Sequence, residues 1–123
     1  MTEECVLVIE DEDIIREAIQ GMLELDGLRC LVAADGNAGI ALLREHKGQV
    51  RLVVMDRTMP GLSGPPAAEA IHAIDPDLPI LLTSGLDEYS ATKAFPPGAI
   101  VGYLQKPYPL PTLVQAVRRH LER

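Results

Sequence analysis

The sequence predicts an α/β domain built on a five-stranded parallel sheet with helices on both faces. Short apolar runs recur five times, and they are continuous rather than alternating. Continuous runs are what strands covered on both faces require. Between them stand segments whose apolar residues repeat at i, i+3, i+4 and i+7, the spacing of one helix face. Short connections joining the two kinds of segment imply right-handed crossovers, which place helices on either side of the sheet. The length agrees: 123 residues, 47 % hydrophobic and 24 % charged, suit one domain with one core and are too few for two.

Taken in order, the first strand is predicted at residues 5–9, and Ile15, Ala18, Ile19 and Met22 mark the first helix. Residues 28–33 form the second strand. Asp35 is placed to cap a second helix, whose inner face is read as Ala38, Ala41 and Leu42. A third strand at 52–55 leads to a helix with Ala67, Ala70, Ile71 and Ile74 inward. Pro65-Pro66, after Gly64, suit its first turn, where a missing N–H costs little. The fourth strand covers 80–83. A helix starting near Asp87 must end before Pro96-Pro97-Gly98, which leaves it roughly two turns or fewer. The fifth strand is predicted at 100–104, and Leu110, Leu113, Val114, Val117 and Leu121 form the cleanest stripe of all. All ten prolines lie between Pro60 and Pro111, so the first two helices should run uninterrupted. Residues 1–123 read as a single domain, without repeat or linker.

Composition narrows the function classes. No apolar run approaches the roughly 18–20 residues of a membrane span, and Met1-Thr2-Glu3-Glu4 lacks the basic start of a secretory signal. Cys5 and Cys30 are too few for a disulfide framework or a four-ligand zinc site. They read as buried strand thiols, and the cytoplasm is the expected compartment. Net charge is −7, with 12 acids against 6 bases in residues 1–59 and 6 against 5 in 60–123. An acidic chain without a basic stripe is a poor nucleic-acid binder, and no direct contact with nucleic acid or membrane is expected. The acid-rich half points instead to a metal ion. His46, His72 and His120 fall on predicted helices at no metal-ligand spacing and read as surface residues.

Chemistry in an open parallel sheet gathers beyond the carboxyl ends of the strands. Four strand ends deliver polar groups there: Glu10-Asp11-Glu12-Asp13, Asp56, Thr83-Ser84 and Lys106-Pro107. Carboxylates on neighbouring strand ends repel unless a cation lies between them, and Mg²⁺ suits oxygen ligands. Acids, a metal, a hydroxyl and an ammonium together make a site for a phosphoryl group. Asp56 can be its nucleophile, since carboxylates form aspartyl-phosphates. The metal and Lys106 would then neutralise charge on the transferring oxygens.

Four stretches carry a family resemblance: Val6-Leu7-Val8-Ile9-Glu10-Asp11-Glu12, residues 52–64 around Met55-Asp56-Arg57-Thr58-Met59-Pro60-Gly61, Leu82-Thr83-Ser84-Gly85, and Gly102-Tyr103-Leu104-Gln105-Lys106-Pro107. In this order and near this spacing they resemble the receiver domain of bacterial two-component response regulators, over essentially the whole chain. The resemblance implies a flavodoxin-like doubly wound sheet of order 2-1-3-4-5 with about five helices. It implies Asp56 as phosphoacceptor, Glu10 and Asp11 as the acidic pair with Asp11 the more direct Mg²⁺ ligand, and the backbone carbonyl of Thr58 completing the ligands. Thr83 becomes the switch hydroxyl, Ser84 its small neighbour, Lys106 the phosphate-pairing base and Tyr103 the switch aromatic. The Lys106-Pro107 bond is usually cis in this family. The implied partner is a histidine kinase dimerisation and phosphotransfer domain or a histidine phosphotransfer protein, with homodimerisation left open. The protein is expected to be a phosphoacceptor that assists its own phosphorylation and dephosphorylation rather than a free-standing enzyme. The stretches around Thr83 and Lys106-Pro107-Tyr108 look most like the receiver module of a hybrid sensor histidine kinase, with a stand-alone single-domain regulator as the alternative.

Plainer readings stand beside these roles. Glu12 and Asp13 suit a solvated helix start better than a metal. Tyr103 can be a fixed, partly buried ring. Several positions depart from the family pattern. Glu10 adds a methylene where Asp is commoner, which favours a water-mediated metal contact. Arg57 places a cation beside the acceptor, within reach of a phosphoryl group or a partner's acid. Pro65-Pro66 and Pro96-Pro97 alter the third and fourth helices. Rivals from other classes lack needed residues: an Asp-nucleophile phosphatase needs a second Asp where Thr58 stands, and a flavin binder needs a phosphate loop where 10–13 is acidic. A non-phosphorylated interaction module would need none of the acidic, hydroxyl and lysine set.

Overall fold

The computed structural model describes residues 4–121. Strands and helices alternate along the chain: β1 (Cys5–Ile9), α1 (Asp13–Leu25), β2 (Arg29–Ala33), α2 (Gly36–Glu45), β3 (Val50–Asp56), α3 (Gly64–Ile74), β4 (Ile80–Ser84), α4 (Glu88–Thr92), β5 (Gly102–Gln105) and α5 (Leu110–Leu121). All pairings are parallel and the order is β2-β1-β3-β4-β5.

Alternation along the central strands explains the continuous apolar runs. Cys5, Leu7 and Ile9 of β1 join Val53 and Met55 of β3 and Ile80 and Leu82 of β4 in one core, which Ile40, Leu43, Ala67 and Ile71 close from α2 and α3. Val6 and Val8 point the other way, with Leu52, Val54 and Leu81, into a core closed by Ile19 and Leu23 of α1 and Leu113 and Val117 of α5. A strand covered on both faces has no position left for a polar side chain until it ends.

Boundaries of four strands differ from those predicted, β3 and β4 each ending one residue later, at Asp56 and Ser84. Arg51 splits the apolar run at the start of β3, yet the strand begins at Val50. A register irregularity opposite Cys5 and Val6 accommodates Arg51, which pairs with Glu4 at the surface. Leu28 belongs to the cap that follows α1, not to β2. Gly27, at φ +84°, donates its N–H to Glu24 and Leu28 donates to Leu23, the two bonds of a Schellman cap. Residues 100 and 101 precede β5, which runs one residue further than predicted, to Gln105.

The inner face of α2 also differs. Ala38 and Ala41 are exposed, while Gly36, Gly39, Ile40 and Leu43 are buried. A Cβ on Gly39 would stand 2.4 Å from Ile9 Cδ1, and one on Gly36 only 1.9 Å from the Leu62 carbonyl oxygen. Glycines here let the helix approach the sheet and the loop before α3, a role no hydrophobic count registers. The Asp35 cap is as expected, accepting from Ala38 N–H at 2.8 Å. The prolines also sit as read, Pro65 in the first turn of α3 and α4 only five residues long. The three histidines are half-buried rather than fully exposed, and the His72 ring meets the Leu78 carbonyl at 2.9 Å.

Candidate functional site

Parallel strands that all end at one edge present their next residues together. β1 passes into Glu10 and Asp11, β3 ends on Asp56, β4 ends on Thr83-Ser84, and β5 passes into Lys106. Asp56 and Thr83 are register partners on adjacent strands. The backbone continues the ladder past the strands, Glu10 N–H donating to Ala33, Arg57 N–H to Thr83 and Lys106 N–H to Ser84.

Lys106 ties the edge together. Its Nζ donates to Glu10 Oε1 at 2.9 Å and to Asp56 Oδ2 at 3.2 Å, joining residues 96 and 50 positions apart. Glu10 is buried, and its second oxygen accepts from the Glu12 N–H at 3.1 Å. Both Glu10 oxygens thus accept hydrogen bonds. One carboxylate oxygen from each of Glu10, Asp11 and Asp56 lies within 4.8 Å of the others, close enough to share an ion. The donor set is all oxygen, as Mg²⁺ requires.

Burial sets the electrostatics. Loss of water raises the Asp56 carboxyl to about 6; Lys106 opposes the rise and Glu10 adds to it. Burial by itself would lower Lys106, but the hydrogen bond to Glu10 and the charges of Asp56 and Glu10 prevail and hold it above its ordinary value. Lys106 therefore stays an ammonium while Asp56 ionises near neutral pH.

The remaining predicted residues surround this pair. Thr58 N–H faces Asp56 Oδ1 at 3.5 Å. Thr83 and Ser84 are buried, and Ser84 Oγ accepts from the Leu86 N–H at 3.0 Å. Half-buried Tyr103 places its hydroxyl on the carbonyls of Ser84, at 3.1 Å, and Leu86, so the ring is tied to the loop after β4. The Lys106-Pro107 peptide is cis, and both cysteines are buried thiols. Burial pushes the Cys30 thiol up to about 12, which keeps it unreactive. Arg57 turns away from the acceptor: its Nε donates to the Ala91 carbonyl of α4.

Two residues were not anticipated. Arg16 braces the acidic loop, donating to the Glu10 carbonyl at 3.0 Å and to Asp13 at 2.6 Å; its spacing of three from Asp13 was the available signal. Tyr108 buries its hydroxyl without a hydrogen-bond partner among the described residues. Burial pushes that hydroxyl up to about 12, Lys106 opposing and Glu10 and Asp56 adding, so it stays protonated.

The family description "Response regulator receiver domain" matches residues 6–118. The chain belongs to the response regulator receiver family. Among curated proteins this receiver is similar to sensor kinase CckA of Brucella abortus (strain 2308), 32 % identical over 118 residues that cover 96 % of the chain and 12 % of CckA. It is also similar to the C4-dicarboxylate transport transcriptional regulatory protein DctD of Pseudomonas aeruginosa, 32 % identical over 118 residues, 95 % of the chain and 25 % of DctD. The receiver thus spans a quarter or less of these two relatives. A receiver domain protein from Clostridium thermocellum superposes with a TM-score of 0.85 at 28 % identity, covering 98 % of this chain and 95 % of that one. The receiver domain of hybrid histidine kinase CckA superposes with a TM-score of 0.80 at 28 % identity, covering 94 % and 97 %. The receiver is a two-component signalling module with the flavodoxin-like order 2-1-3-4-5. Receivers bind Mg²⁺ through an acidic cluster, and this one has such a cluster. No helix among the described residues is long and apolar enough to cross a membrane.

Proposed function

We propose that Asp56 accepts a phosphoryl group from a phosphohistidine on a histidine kinase or a histidine phosphotransfer protein. The observation that carries this reading is the Lys106 ammonium shared between Asp56 and Glu10, with Asp11 beside them. An Asp56 oxygen attacks phosphorus, the P–O bond forms as the P–N bond breaks, and the imidazole leaves with the electron pair. Asp11, Asp56 and the Thr58 carbonyl would hold Mg²⁺, with Glu10 behind them, and the ion when bound neutralises charge on the transferring oxygens. Lys106 supplies the other positive charge. The product carries about −1.5 to −2 charges where a single carboxylate stood. Thr83 and Lys106 close on the new oxygens, and Tyr103 turns inward from its hold on the loop after β4. Phosphorylation biases a pre-existing equilibrium between these arrangements.

An apolar groove of about 500 Å³, lined by Ile14, Ile15, Ala18, Pro107 and Leu110, lies alongside Lys106 and suits a helix presenting the phosphohistidine. Ile14 is 84 % exposed. Residues 1–123 act as one receiver unit, working in the cytoplasm without touching nucleic acid itself. Likeness to CckA supports a module of a hybrid sensor kinase. Whether the reading frame continues from a kinase core separates this from a stand-alone regulator.

Incubation with Mg²⁺ and acetyl phosphate followed by mass spectrometry tests the first step. Wild type should gain ~80 Da and Asp56→Asn should not. An unmodified wild type, or a labelled variant, refutes the assignment; turnover of a generic phosphoester would favour a phosphatase instead.

A further inference from the structure

Arg57 is fixed at both ends. Its backbone N–H donates to the Thr83 carbonyl at 2.8 Å, which holds the acceptor segment on the end of β4. Its side chain crosses to α4, where Nε donates to the Ala91 carbonyl at 2.7 Å and the guanidinium carbon stands 6.0 Å from the centre of the Phe95 ring. Ala91 is fully buried and Phe95 nearly so. With five residues, α4 is shorter than a helix that holds itself in water. Ala91 lies in its last turn, where carbonyls lack helix partners and a cation is favoured. Beyond Phe95 come Pro96 and Pro97, neither of which can donate a backbone hydrogen bond. Local bonds do exist here, Asp87 capping the Ser90 N–H and Phe95 N–H donating to the Thr92 carbonyl, but they span a single short turn, so a tether from outside matters more to it than to the longer helices.

We propose that Arg57 is a positioning residue that holds α4 and the Phe95 turn against the acceptor segment, so that the state of Asp56 is read out over residues 87–99. The restraint stands on the geometry alone; its link to Asp56 rests on the phosphoacceptor reading above. Arg57 follows Asp56 directly and is bonded to Thr83, so any rearrangement of those two residues moves the root of the tether. Its far end then no longer fits Ala91 as before, and the equilibrium position of α4 shifts.

Hydrogen exchange followed by mass spectrometry, on unlabelled and acetyl-phosphate-labelled protein, tests both parts. Unlabelled Arg57→Met should exchange about tenfold faster than wild type over 87–99, the effect of losing one hydrogen bond to a charged donor, with β1, β3 and α1 unchanged. Arg57→Gln puts an uncharged N–H donor near the position of Nε and should fall between the two. Labelling should alter exchange over 87–99 in wild type and leave it unaltered in Arg57→Met, although both proteins take the adduct. A purely structural side chain would not abolish that response. Equal exchange over 87–99 in unlabelled wild type and Arg57→Met overturns the proposal, as does an undiminished response to labelling in the variant. If wild type takes no adduct, the phosphoacceptor reading fails together with the link, while the unlabelled proteins still decide the restraint.

Discussion

Burial moves the Asp56 carboxyl up to about 6, and that shift makes the stability of the fold depend on pH. A carboxyl that binds its proton more tightly folded than unfolded makes ionisation costly to the fold. The cost is fully present above the folded value and vanishes as pH falls below the ordinary carboxylate range. In chelator, Asp56→Asn should therefore be more stable than wild type by about 2 kcal/mol at pH 8, with the gap closing between about pH 6 and pH 4. Urea unfolding at several pH values measures it; a gap that widens in acid would contradict the burial argument. Asp11, Asp56 and Lys106 were legible as residue types standing at strand ends. The direction of Arg57 was not, because either an acid or a helix carbonyl satisfies a guanidinium and only the fold decides which is near. Arg16 escaped notice for the same reason, since half its contacts are to a backbone oxygen.

At the level of elements, apolar periodicity located every strand and four helices, with α4 bounded by Asp87 and the prolines at 96 and 97, but it misjudged one face and several ends. The stripe of α2 was read through its alanines, whereas its approach to the rest of the fold is set by Gly36 and Gly39. Helix propensity alone would have Gly36→Ala stabilise by up to about 1 kcal/mol. With a Cβ 1.9 Å from the Leu62 carbonyl oxygen, the backbone must yield, so destabilisation by about 2 kcal/mol or more is expected in thermal or chemical unfolding. A neutral or stabilising result would mean that the loop before α3 moves freely. The end of α1 shows why boundaries resist sequence reading. Leu28 is as apolar as a strand residue, but its N–H completes the helix cap.

For the whole molecule, a parallel sheet covered on both faces followed from continuous apolar runs, although the single core expected from the length is two, one on each face; the strand order came from family likeness and from no periodicity. The carboxylate cluster at the sheet edge exists only once two distant stretches meet, so a cation bound there stabilises the folded chain and not the unfolded one. Mg²⁺ at ten times its Kd should stabilise wild type by about 1.4 kcal/mol, raising Tm by several degrees, and Asp11→Ala should lose that gain. Scanning calorimetry with and without Mg²⁺ checks it; an equal rise in the variant would place the ion elsewhere.

The register that sets Asp56 opposite Thr83 belongs to the hydrogen-bonded ladder between β3 and β4, not to any connecting loop. A slip of one residue would exchange the two faces of the strand, so the apolar side chains behind the pair police its alignment. Loops beyond the ladder are under no such discipline. The proline-bearing stretch before β5 lies outside that ladder, so a substitution there leaves the pairing of Asp56 with Thr83 in place.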